Sequence, residues 1–112
     1  MRKFEYRSPR YNVDLAVRLI VGGANVIGQC REISRDGLSA QFPEQISAGA
    51  LGTLIIHYRD LSVEVRVRVA HTGPHSEGLK FLFRAEADRK AIDQLIAAIA
   101  VTSPKLQPVL VK

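Results

Sequence analysis

The sequence predicts a mainly β fold, a six-stranded antiparallel β-barrel with a C-terminal α-helix packed on it. Three observations carry this. Six short apolar runs alternate at the period of a strand, and Gly-, Asn-, Asp- or Pro-containing breaks separate them. The period changes once, after residue 85, to that of a helix. The 112 residues, 46% hydrophobic and 24% charged, suit one globular domain and are too balanced for a disordered chain.

Val13, Leu15, Val17, Leu19 and Val21 alternate with polar or small residues, as a half-buried first strand requires. Gly22, Gly23 and Asn25 supply a hairpin turn into a second run from Val26 to Ile33. That run ends at Ser34-Arg35-Asp36-Gly37, where Asp-Gly predicts a hairpin with positive φ at adjacent positions. Leu38, Ala40 and Phe42 share one side of a third strand that Pro43 ends, and residues 44–51 read as a loop. A fourth strand runs from Leu54 to Tyr58, and the turn at Arg59-Asp60 leads into the alternation of Val63, Val65, Val67 and Val69. After Gly73-Pro74, Leu79, Phe81 and Phe83 form the inward side of a sixth strand. Ile92, Leu95, Ile96 and Ile99 then recur at i, i+3, i+4 and i+7 behind Glu86 and Asp88, the pattern of an amphipathic helix with an acidic first turn. The chain thus divides into a basic arm (1–12), a barrel with its closing helix (13–101) and an irregular tail (102–112).

Sixteen Lys and Arg against eleven Asp and Glu give a net charge of +5, which favours an anionic partner. Arg2, Lys3, Arg7 and Arg10 fall in the first ten residues, interleaved with Phe4 and Tyr6 and followed by Tyr11. Guanidinium groups fork onto phosphates or guanine edges and rings stack on bases, so this arm suits a nucleotide. The same early charges read against a membrane span and a secretory leader, and the single Cys30 fits a reducing cytoplasm. No membrane partner is expected.

Catalytic groups are sparse. Gly73 and Pro74 separate His71 from His75, which makes the pair a poor metal site, and Cys30 reads as a buried small hydrophobe. No phosphate loop, nucleophile elbow or carboxylate pair is present, so the chain reads as a binder and not an enzyme, with no metal and no cofactor.

The segment Glu5-Tyr6-Arg7-Ser8-Pro9-Arg10-Tyr11-Asn12-Val13-Asp14-Leu15-Ala16-Val17, the motif Glu32-Ile33-Ser34-Arg35-Asp36-Gly37 and the run Gly78-Leu79-Lys80-Phe81 together resemble the PilZ domain over about residues 5 to 100. PilZ domains are bacterial receptors for cyclic di-GMP, and their pattern is Arg-x-x-x-Arg followed some twenty residues later by Asp/Asn-x-Ser-x-x-Gly. Here Arg10 fits the second Arg, Tyr6 stands at the first with Arg7 one place on, and Glu32 stands at the Asp/Asn position ahead of Ser34 and Gly37.

The resemblance implies a cyclic di-GMP site made of Tyr6, Arg7, Arg10, Glu32, Ser34 and Gly37, signalling through rearrangement of the arm towards a protein partner. Glu32 keeps an acceptor for guanine N1 and N2, whereas Tyr6 brings neither charge nor a donor fork. Losing one charged hydrogen-bonding group costs about 10- to 150-fold in affinity. The alternative is a PilZ-like domain that does not bind cyclic di-GMP and acts as a constitutive protein-interaction module. A weaker third reading has the arm, Arg66 and Arg68 binding single-stranded nucleic acid.

Overall fold

The computed structural model describes residues 9–74, 76–102 and 108–109. It has strands β1 (Arg10–Val21), β2 (Ala24–Ile33), β3 (Gly37–Gln41), β4 (Leu51–Tyr58), β5 (Leu61–Thr72) and β6 (Glu77–Leu82), then helix α1 (Glu86–Thr102) and a short strand β7 (Pro108–Val109). Neighbouring strands run antiparallel in the order β2-β3-β6-β5-β4-β1, and β1 also pairs with β2. The sheet therefore closes on itself, giving the six-stranded barrel with one C-terminal helix that the alternation predicts. Closure leaves none of the six strands as a bare edge along its whole length.

The alternation sets what lies inside. Leu15, Val17 and Leu19 of β1, Leu54 and Ile56 of β4, Val63, Val65, Val67 and Val69 of β5, and Leu79 and Phe81 of β6 are all buried in one core. Each such side chain contributes about 1.5–3 kcal/mol by leaving water. The apolar stripe of α1, Ile92, Leu95, Ile96 and Ile99, joins that core. At the start of α1 the Asp88 carboxylate accepts a hydrogen bond from the backbone N–H of Arg84 at 3.0 Å, the pairing that an acidic first turn offers.

Several boundaries differ from the sequence reading for identifiable reasons. β1 starts at Arg10, ahead of Val13, because Tyr11 pairs with Ile33 of β2 and Arg10 and Tyr11 pair with Val109 and Pro108 of β7. β7 itself lies in the tail expected to be irregular; its proline sits on the outer strand, where a missing N–H is tolerated. β4 begins at Leu51 because Leu51, Gly52 and Thr53 find partners in Arg68, Val67 and Arg66. Phe83 lies past the end of β6, half-buried, with the Arg89 guanidinium 4.7 Å from its ring centre. The 44–51 loop is anchored, not loose. Ile46 is buried, its N–H donates to the buried Glu77 carboxylate at 3.3 Å, and Gly49 and Ala50 bond to the backbone of Val69.

Candidate functional site

The β2–β3 turn is the centre of the site. Ser34 N–H donates to the Gly37 carbonyl at 2.9 Å, its hydroxyl reaches the same oxygen at 3.3 Å, and Asp36 N–H donates back to the Ser34 hydroxyl at 3.2 Å. The sequence reading expected positive φ at adjacent positions here, and neither Asp36 nor Gly37 has it. Glycine is required at 37 for a different reason: a Cβ there would lie 2.2 Å from the Leu79 carbonyl oxygen of β6. The turn is thus pressed against β6, and Phe81 N–H fastens it by donating to the Asp36 carbonyl at 2.9 Å.

Beside the turn, Arg10 of β1 donates through Nη1 to Glu32 Oε1 of β2 at 3.0 Å. Their side chains are 44% and 29% exposed, so the pair contributes at most about 1 kcal/mol and a ligand can replace it. On the other side of the turn, Arg35 holds Asp93 of α1 by two bonds, 2.8 and 3.2 Å, and this carboxylate raises the pKa of the guanidinium.

Arg10, Glu32, Ser34 and Gly37 all line a single cleft of about 460 Å³, a size suited to a small organic ligand. The site residues predicted at these four positions therefore come together, although they sit in two motifs far apart in sequence. Tyr6 and Arg7 lie outside the described residues, as does His75. The sequence reading missed Asp36, Ser39, His71 and Lys80 on the same cleft. Register explains this: β3 pairs with β6, placing Gly37 beside Lys80, and β5 pairs with β6, placing His71 beside Gly78. The Gly78-to-Phe81 run entered the sequence reading only as part of the family resemblance and not among the site residues, yet its Lys80 lines the cleft.

The cleft mixes cationic donors (Arg10, Lys80) with acceptors (Glu32, Asp36, Ser39), a set that suits a ligand carrying both anionic groups and base edges. Cys30 takes no part in it. Buried in the core, its thiol is pushed from 9.0 up to about 12, chiefly by desolvation, and nucleophilic chemistry needs the thiolate. Among the described residues no three His, Cys, Asp or Glu side chains group as metal ligands, and no helix is long and apolar enough to cross a membrane.

The PilZ domain family model matches residues 5–98. The chain belongs to the PilZ domain family. Solved PilZ folds superimpose on it at low identity. The PilZ domain of CeSA from a cellulose-synthesizing bacterium gives a TM-score of 0.72 at 14% identity, covering 82% of this chain and 98% of that one. The complex of K. pneumonia MrkH with c-di-GMP gives 0.73 at 16%, covering 92% of this chain and 55% of MrkH. The Bacillus subtilis inhibitor of motility, MotI/DgrA, gives 0.71 at 16%, covering 94% and 56%. This chain therefore spans little more than half the length of MrkH and MotI/DgrA. No curated protein sequence matches it significantly. On this PilZ barrel the cleft collects the part of the two family motifs that lies within the described residues: Arg10 from the first, and Glu32, Ser34 and Gly37 from the second.

Proposed function

We propose that this PilZ domain is a cyclic di-GMP receptor acting as an adaptor in the bacterial cytoplasm, not an enzyme. The observation that carries this reading is the convergence of Arg10, Glu32, Ser34 and Gly37 on one cleft. Family membership and the likeness to the MrkH–c-di-GMP complex support it. Arg10 forks onto a phosphate or onto guanine O6 and N7, and Glu32 accepts from guanine N1 and N2. The Arg10–Glu32 ion pair opens as both groups turn to the ligand. Arg7 and Tyr6 close the arm over it, the one as a second cation and the other by stacking, and the rearranged arm changes the surface offered to a protein partner.

The test is calorimetric titration of cyclic di-GMP at near-physiological salt, with GTP and Arg10→Ala as controls. Micromolar binding that GTP does not reproduce and Arg10→Ala loses is the expected result. Silence up to hundreds of micromolar overturns it.

A second reading rests on Tyr6 standing where the family has Arg: a ligand-independent protein-interaction module. Its mark is binding that is absent from the unaltered chain and appears in Tyr6→Arg.

A further inference from the structure

The β5–β6 side of the cleft carries groups that neither family motif contains. His71 is exposed and lines the cleft, and its imidazole lies over Gly78 on the neighbouring strand. A Cβ at position 78 would come within 2.5 Å of His71 Cε1 and 2.6 Å of Nδ1, so the ring occupies the space that any other residue's side chain would fill. The ring is thus packed close to the β6 backbone at Gly78 while the residue stays exposed on the cleft. Two positions further along β6, Lys80 also lines the cleft, and Arg68 of β5 stands directly opposite it. Like charges facing each other across a sheet are destabilising. Among the described residues neither cation has an ion-pair partner. An aromatic ring that shares the cleft with Lys80, a cation without an ion-pair partner among the described residues, is a complementary surface for a purine attached to a phosphate.

We infer that His71 is a stacking platform for one guanine of the bound cyclic dinucleotide, held in place by Gly78, with Lys80 taking the adjacent phosphate. This rests on the cyclic di-GMP reading of the cleft and deepens it. It gives the ligand contacts on the barrel wall opposite Arg10, independent of the arm, where Tyr6 replaces a charged group. Stacking uses the face of the ring, so an aromatic substitute serves and a small side chain does not.

The experiment is titration of cyclic di-GMP into the full chain and into His71→Ala, His71→Phe, Lys80→Ala and Arg10→Ala, with thermal melts to show that each variant is folded. His71→Ala should weaken binding about 5- to 100-fold, and His71→Phe should return to within about threefold of the unaltered chain. In NMR spectra of the bound ligand, one guanine H8 should move upfield in the unaltered chain and in His71→Phe, and should not move in His71→Ala. Lys80→Ala should weaken binding and make it less sensitive to salt. A His71→Ala variant that binds within twofold of the unaltered chain, while Arg10→Ala has lost binding, overturns the stacking role and leaves the receptor reading standing. If the unaltered chain binds nothing, both fall together, and that outcome is distinct because no variant is needed to see it.

Discussion

Cys30 shows how position decides the chemistry of a single side chain. It pairs in register with Leu15 and Ala40, is fully buried, and its thiol is held up at about 12 because the interior disfavours the thiolate. In the unfolded chain the thiol ionises near 9.0, while in the barrel it stays protonated to about 12. The folded state therefore holds its proton more tightly. Its contribution to stability is complete below pH 9 and is lost progressively towards pH 12, at up to about 1.4 kcal/mol per pH unit. Urea unfolding between pH 8 and 11 should show a steeper alkaline loss in the native chain than in Cys30→Ala; parallel curves would mean that Cys30 is not the group responsible. For the same reason iodoacetamide should label Cys30 only as fast as the barrel opens.

The β2–β3 turn makes its point at the scale of an element, because its sequence signal was right and the reason for it was not. Asp36-Gly37 marks a hairpin, yet Gly37 is needed for the approach of Leu79 and not for its own φ. Gly37→Ala should cost about 1–3 kcal/mol, since backbone must move to admit the methyl group. Gly73→Ala, whose Cβ would meet its nearest neighbour at 3.4 Å, should cost far less. Denaturant midpoints of the two variants compare them directly, and equal midpoints would refute the close-packing account. The strands themselves were legible wherever in-out alternation is strong, as in Val63 to Val69, and less so where Leu51-Gly52-Thr53 blurs it. The four motif residues of the cleft were legible through the resemblance of two short segments to the PilZ motifs. His71 and Lys80 were not, because they reach the site only through β3–β6 and β5–β6 register, which no local window contains.

For the whole molecule, the cleft exists only when the barrel does. Its walls come from β1, the β2–β3 turn, β5 and β6, elements spread over most of the chain. A ligand seated there binds the folded state alone, so cyclic di-GMP at 100 times its dissociation constant should stabilise the fold by about 2.7 kcal/mol. That corresponds to a rise in Tm of roughly 10 °C for a domain of this size. Scanning calorimetry with cyclic di-GMP and with GTP measures it; no rise at a concentration that saturates the titration would mean that binding does not require the folded barrel. The closed strand order also matters at birth. β3 needs β6 as a neighbour, with Leu38 opposite Leu79. During synthesis at about 5–20 residues per second, the ~40 residues between those positions take ~2–8 s to emerge. For that interval the outer edge of β3 has no strand to pair with, the stretch of the chain's life when a holding chaperone would protect it most.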